Sequence, residues 1–301
     1  MDNNLVLNKD MDYKFVQNQI SGKWIISAPR RAKRPDIAKG EEPACPFCPG
    51  KELIDKEVYR IGGKKDDQNW QIRVVNNKYP FAPIHEVIIH SPDHHKSFDE
   101  LPLSQSELVF KTYRQRFQTH QDKGQVYIFH NHGEAGGESL PHPHSQLAVV
   151  PDFVSLGIAP LDFAKDKEEV KETEHHLIFA PLSSEWPDEV WIAPKRDGLL
   201  YSEISDAEIT DLAKSIYRLI QIFDLRHGHE FPFNFYISPH RGWYLRIVPR
   251  LKNLGGFEIG TGISVNTQDP KETIAFIKEH FESPDEEKIR TVHRAQYKKS
   301  V

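Results

Sequence analysis

The second half of this chain repeats the pattern of its first half, at a spacing of about a hundred residues, and that constrains the fold more than anything else in the sequence. His85-Glu-Val-Ile-Ile-His-Ser-Pro92 matches Asp188-Glu-Val-Trp-Ile-Ala-Pro194, each a short apolar run closed by proline, the form of a buried strand. A helix is expected after each. Ser104-Gln-Ser-Glu107 and Ser205-Asp-Ala-Glu208 both spell a capping box, in which the serine oxygen accepts from first-turn amides and the glutamate reaches back. Beyond the second box, Ile209, Leu212, Ala213, Ile216, Tyr217, Leu219, Ile220 and Phe223 fall at helical spacing, and Leu108, Val109, Thr112, Tyr113, Arg116 and Phe117 follow it less cleanly. Two further strands correspond: Gln125-Val-Tyr-Ile-Phe129 with Phe233-Asn-Phe-Tyr-Ile237, and Leu147-Ala-Val-Val-Pro151 with Leu245-Arg-Ile-Val-Pro249.

Such a repeat predicts an α+β chain of two fused units, each an antiparallel sheet with a packed helix. The units are placed at residues 1–165 and 166–301. The charged stretch Asp162 to Glu174 reads as a solvated linker or short helix, and a last helix is expected from Asp269-Pro270 with Ile274, Ile277 and Phe281 on one face. With 301 residues, 38% of them hydrophobic, the chain can bury one large core or two smaller ones.

Net charge is -5 and both signs are mixed along the length, which argues against a nucleic-acid or membrane-surface partner. The polar stretch Met1 to Lys14 lacks the apolar run of a signal peptide, and no stretch of about 18 apolar residues occurs, so a cytoplasmic location is expected.

Chemistry concentrates in Leu140-Pro-His142-Pro-His144-Ser-Gln146. In an extended segment alternate residues share a side, so His142, His144 and Gln146 line one wall. Upstream, Asn131-His-Gly-Glu-Ala-Gly-Gly137-Glu-Ser139 is a glycine-rich loop whose amides can approach a phosphate. A neutral imidazole attacks phosphorus well and leaves well, so His144 can take up a nucleotidyl group and pass it on. Gln146, Ser139 and the loop amides could donate to the charge that builds on the phosphate oxygens.

Cys45-Pro-Phe-Cys48 has the form of a zinc knuckle and supplies half a tetrahedral site. The remaining ligands must be histidines, with His142, His94 and His95 as candidates; a reduced or redox-active pair is the alternative. Arg30-Arg-Ala-Lys-Arg34 gathers cations suited to phosphate, and Asn76 and Asn77 end a strand in two amides that could bond a ribose or base.

Taken in order, Ser21-Gly-Lys-Trp, Arg31-Ala-Lys-Arg-Pro35, Cys45-Pro-Phe-Cys48, Ser91-Pro-Asp-His94, Asn131, Ser139-Leu-Pro-His-Pro-His-Ser-Gln146, Glu172-Thr-Glu-His175 and Pro194-Lys195 resemble the galactose-1-phosphate uridylyltransferase family of the histidine-triad superfamily. The resemblance implies two fused histidine-triad-like units, the first catalytic and the second without the motif histidines. It implies His144 as the uridylylated nucleophile and Gln146 and Ser139 as phosphate partners. Arg31 and Arg34 would lie near the phosphates, and Asn76, Asn77, Asn131 and Gly137 at the nucleotide. It also implies one structural zinc on Cys45, Cys48, His94 and His142.

Gly242 and Tyr244 stand where many relatives place histidines of a second metal site, so one metal is expected. Asn77 replaces an aspartate seen in some members, and Glu138 stands where a small residue or cysteine is often found. The stretch Pro249 to Gly262 is similar to short uridylyltransferases and to ADP-sugar phosphorylases alike, with Glu258 on the hexose in either. The expected substrates are a nucleotide sugar and a hexose 1-phosphate, and a homodimer is in keeping with the family. An ADP-sugar phosphorylase using the same histidine is the sister reading, and a decayed nucleotide-binding regulator the non-enzymatic one.

Overall fold

In the computed structural model, residues 13–34, 44–52, 54–65, 67–161, 170–228, 230–285 and 287 are described. A small hairpin of β1 (Lys14–Gln17) and β2 (Trp24–Ser27) precedes two similar series of elements. The first series is β3 (Glu57–Ile61), β4 (Ile72–Asn76), β5 (Ile84–Ile89), α1 (Leu103–His120), β6 (Gln125–His132) and β7 (His144–Val150). The second is β8 (Lys171–Glu172), β9 (His176–Phe179), β10 (Val190–Pro194), α2 (Asp206–His227), β11 (Phe233–Ile237) and β12 (Leu245–Pro249), followed by α3 (Gly256–Thr261) and α4 (Pro270–His280).

All ten strands of the two series join one antiparallel sheet in the order β3-β4-β5-β7-β6-β11-β12-β10-β9-β8. The order is a palindrome about the β6–β11 junction. The fold is thus α+β, as the repeat predicts, and the two units share one sheet. Ile128 pairs with Ile237 at the centre, and both are fully buried.

One apolar core lies on the helix face. It joins Ile72, Ile88, Val126 and Leu147 of the first series to Ile192, Phe235, Leu245 and Ile247 of the second, under Phe110, Phe117, Ile216 and Phe223 of the helices. Each such side chain contributes about 1.5–3 kcal/mol by leaving water. The buried Glu86 is ion-paired to Arg116 at 2.6 Å and bonded to His120 at 2.9 Å, which fastens β5 to α1.

Register corrects the repeat in two strands: Leu147 pairs with Ile128 and Leu245 with Ile237, so β6 matches β11 one residue further along than the sequences suggest, and β5 is displaced more. Leu147 pairs with Glu86, and its counterpart Leu245 pairs with Ile192, so Glu86 corresponds to Ile192 and not to Glu189. The shared Glu-Val that suggested the match is displaced by three residues. An odd displacement in a strand reverses the face. Glu86 therefore points to the helices, whereas Glu189 points to the other face and bonds Arg246.

The two caps also differ. Ser205 accepts from Glu208 N and Glu208 reaches back to Ser205 N, a complete box. In α1 the cap position is Pro102, two residues earlier than Ser104-Gln-Ser-Glu requires, with no side-chain cap. The last helix begins as expected, with Asp269 accepting from Lys271 N and Ile274 and Ile277 buried. Of the charged stretch Asp162 to Glu174, residues 162–169 and with them the expected unit boundary lie outside the described residues, and Lys171–Glu172 forms β8. No helix among the described residues is long and apolar enough to cross a membrane.

Candidate active site

β7 runs beside β5 on one side and β6 on the other, so alternate residues His144, Gln146, Ala148 and Val150 face away from the helices. A cavity of about 260 Å³ opens at the His144 end of this face. Phe47, Val75, Val87 and Leu140 give it apolar walls, and Arg34, Asn76, Asn77, Ser139, His144 and Gln146 supply its polar groups. Lys78, Tyr79 and Asp55 also line it, and burial raises the Asp55 carboxyl above its ordinary range.

His144 Nδ1 lies 2.9 Å from the carbonyl of His142. A carbonyl only accepts, so Nδ1 carries the proton and Nε2 keeps its lone pair. Burial, opposed by that hydrogen bond and aided by Arg34, holds His144 below the usual histidine range, in its neutral form at pH 7. Behind the strand, Ser145 meets Tyr113 at 2.5 Å and His90 at 2.9 Å, while His130 Nδ1 donates to the His144 carbonyl at 3.0 Å. β6 pairs with β7 only as far as His130, and this side chain continues the ladder where the main chain departs toward the glycine loop.

The glycine loop folds through a tight turn at Glu134–Gly136, with Gly137 in the left-handed region at φ 78°. The Glu138 carboxylate accepts from Gly133 N at 2.8 Å and is pushed up to about 7 by burial, with Glu230 adding to the rise.

Cys45, Cys48, His94 and His142 bring their ligand atoms within 4.8 Å of one another and could hold a metal ion. Cys48 Sγ lies 3.1 Å from His94 Nδ1 and 3.7 Å from His142 Nδ1. His142 Nε2–H donates to the Ser91 carbonyl at 2.8 Å, which frees Nδ1 to coordinate, the outer-shell bond expected of a ligating histidine. Burial pushes the Cys45 thiol up to about 11, an effect that a bound cation would oppose.

Other expected residues lie apart from the cavity around His144. Arg31 sits over Phe81 at 4.9 Å and donates to the Tyr79 carbonyl at 2.6 Å. Asn131 accepts from Asn234 at 2.9 Å and lines an adjoining cavity of about 550 Å³, walled by Tyr127, Phe129, Tyr236 and Trp186. Glu258 accepts from Gly255 N and lines neither cavity. His85, read from sequence only as part of a strand, bonds Gln146 at 2.9 Å. The signal was a histidine within an apolar run, on the site face because β5 alternates.

In the second unit the equivalent positions hold no polar set. By strand pairing, Asn77, His85 and Gln146 correspond to Phe179, Trp191 and Tyr244. Trp191 stacks on Tyr244 at 4.1 Å, and the Tyr244 hydroxyl donates to the Ala159 carbonyl, with Ile158 and Leu161 packed alongside. The segment that leaves the first unit thus packs against the equivalent surface.

Residues 84–149 match the family described as galactose-1-phosphate uridyl transferase, N-terminal domain. The chain is 26% identical to an ADP-glucose phosphorylase from Arabidopsis thaliana over 324 residues, covering 87% of this chain and 92% of that protein. It is also 26% identical to a galactose-1-phosphate uridylyltransferase from Thermotoga maritima over 309 residues, covering 87% and 96%. A crystal structure of the Arabidopsis thaliana ADP-glucose phosphorylase with bound ADP-glucose superposes with a TM-score of 0.68 at 25% identity, over 89% of this chain and 99% of that one. The likeness expected from the motifs therefore extends over most of the chain, in sequence and in fold.

Proposed function

We propose that this chain is a nucleotidyltransferase that moves a nucleoside monophosphate between a nucleotide sugar and a hexose 1-phosphate through a nucleotidyl-His144 intermediate, in the manner of UDP-glucose:hexose-1-phosphate uridylyltransferases. The carrying observation is the neutral His144, whose Nδ1–H is committed to the His142 carbonyl and whose Nε2 is left on the cavity wall beside Gln146, Ser139 and Arg34. Nε2 attacks the α-phosphorus, the bond to the bridging oxygen breaks, and hexose 1-phosphate departs with the electron pair. A phosphate oxygen of the second sugar phosphate then attacks the same phosphorus, and the P–N pair returns to Nε2. Two moderate barriers replace one. Gln146, Ser139 and the loop amides near Gly137 donate to the nonbridging oxygens. Arg31 and Arg34 serve the phosphates, Asn76 and Asn77 the nucleoside, Asn131 the nucleotide, and Glu258 the hexose.

A second reading uses the same histidine with ADP-glucose and inorganic phosphate, giving ADP and hexose 1-phosphate. Similarity to an ADP-glucose phosphorylase over nearly the whole of both chains favours it. Incubation with UDP-glucose or ADP-glucose labelled in the α-phosphate, followed by alkaline denaturation in which phosphohistidine survives, decides between them. The expected result is label retained from one donor and lost in His144→Gly; label retained from neither would exclude both readings.

The metal we infer is one zinc ion, since two thiolates and two neutral imidazoles are its usual structural ligands. Held there it would tie the Cys45–Cys48 loop and the turn after β5 to the start of β7. Metal analysis should give about one zinc per chain, falling in Cys45→Ser. We also infer a homodimer. Glu258 stands on a segment where Leu251, Leu254, Phe257, Ile259, Ile263 and Val265 are all exposed, an apolar surface suited to a second copy.

A further inference from the structure

We propose that His85 is a positioning residue that fixes the Gln146 side-chain amide with its NH2 group toward the substrate phosphate. The inference rests on reading His144 as the nucleotidyl acceptor. It comes from the polarity of four hydrogen bonds. A main-chain N–H can only donate. Phe81 N–H meets His85 Nδ1 at 3.3 Å, so Nδ1 is the accepting nitrogen and the ring proton is on Nε2. His85 Nε2–H therefore donates to Gln146 Oε1, 2.9 Å away. Independently, Tyr79 N–H donates to Asn77 Oδ1 at 2.8 Å, which makes Nδ2 the end of Asn77 that faces Gln146, and Asn77 Nδ2 lies 3.3 Å from the same Oε1. Nδ2 is also 3.3 Å from His85 Nε2, but both atoms carry protons, so that approach is no hydrogen bond.

Two donors thus converge on one oxygen. Reversing the Gln146 amide would set its NH2 against both, and the rotamer shown is the one that satisfies all three side chains. Gln146 Nε2 has no hydrogen-bond partner among the described residues, and Gln146 lines the cavity that holds His144. A nonbridging phosphate oxygen would complete it.

The support is rigid. The Phe81 ring packs on the His85 imidazole at 4.1 Å, and His85 is 4% exposed. Burial pushes His85 down to about 3, so it stays neutral and keeps one donor nitrogen. Arg31 clamps the turn that carries both N–H donors by bonding the Tyr79 carbonyl and covering Phe81. In the second unit the same three sheet positions are Phe179, Trp191 and Tyr244, where there is no amide to aim.

The test compares His85→Phe, His85→Gln, Gln146→Ala and the double variant His85→Phe/Gln146→Ala in single-turnover labelling of His144, with UDP-glucose and ADP-glucose as donors. His85→Phe keeps the ring against Phe81 but removes the donor, and is expected to slow labelling by about 10- to 100-fold with little change in the donor's KM. His85→Gln restores an N–H and should recover most of the rate. In the Gln146→Ala background, His85→Phe should add no further loss; an equal loss there would show a merely structural role and overturn the proposal. A measurement independent of activity is the 15N signature of His85 in the wild-type protein, expected as the neutral Nε2–H form from about pH 5 to 8. A proton on Nδ1 would overturn the proposal even in an active enzyme. Absence of label from both donors, with the Nε2–H form present, would remove the transfer reaction and leave the hydrogen-bond polarity intact.

Discussion

At the scale of single residues, His144 and its neighbours make the pH dependence of the first step predictable. Desolvation disfavours the imidazolium, so its folded pKa lies below the ordinary value and the neutral nucleophile persists as pH falls through about 6.5. A nearby divalent cation would push the same way. The rate of His144 labelling should stay level down through that value and decline only at lower pH. Rapid-quench measurement across the range checks it, and a midpoint at the ordinary histidine value would contradict the burial described. Most of this site was legible in the sequence, because His144 and Gln146 are alternate residues of β7 and His142 stands two residues before its start. His85 was not, since what it does depends on Gln146, 61 residues away, and on the main-chain polarity of the turn at Tyr79–Phe81. Arg31 reads from sequence as a phosphate ligand because it stands in a cationic run, but its contacts with Phe81 and the Tyr79 carbonyl, 48 to 50 residues away in the chain, are not written in that run.

Single elements separate what pattern can show from what it cannot. Both serine boxes look alike as text, but only Ser205 caps a helix. Ser205→Ala is expected to destabilise the protein by about 1 kcal/mol, and Ser104→Ala, which removes an exposed first-turn hydroxyl without a capping bond, by well under half of that. Urea unfolding of the two variants measures the difference; equal losses would mean that Ser104 does cap α1. The helix and strand positions follow from periodicity, which local side-chain chemistry sets. The three-residue offset between β5 and β10 does not, because it is written in which residue faces which across β7 and β12. Two glutamates that look equivalent along the chain thus end on opposite faces of the sheet.

For the whole molecule, the continuous core beneath both helices and the β6–β11 pairing predict joint unfolding of the two units. Calorimetry should show one transition with matching calorimetric and van't Hoff enthalpies, and a double variant that splits Ile128 from Ile237 should lower it as one. Two resolved transitions would refute the single core. The expectation of either one core or two was open in the sequence, since composition counts apolar residues without saying which sheet they share. The packed surface of the second unit carries a further consequence, for mutational tolerance. Trp191 and Tyr244 fill the space where the first unit keeps His85 and Gln146, so in a saturation library the two halves should obey different rules. Near Tyr244 side chains of similar bulk should be admitted at the cost of one hydrogen bond to the Ala159 carbonyl, because stacking and volume dominate there. At Gln146, bulk should be irrelevant and donor direction everything. The halves of one near-symmetric sheet would then read as a filter for shape on one side and a filter for chemistry on the other.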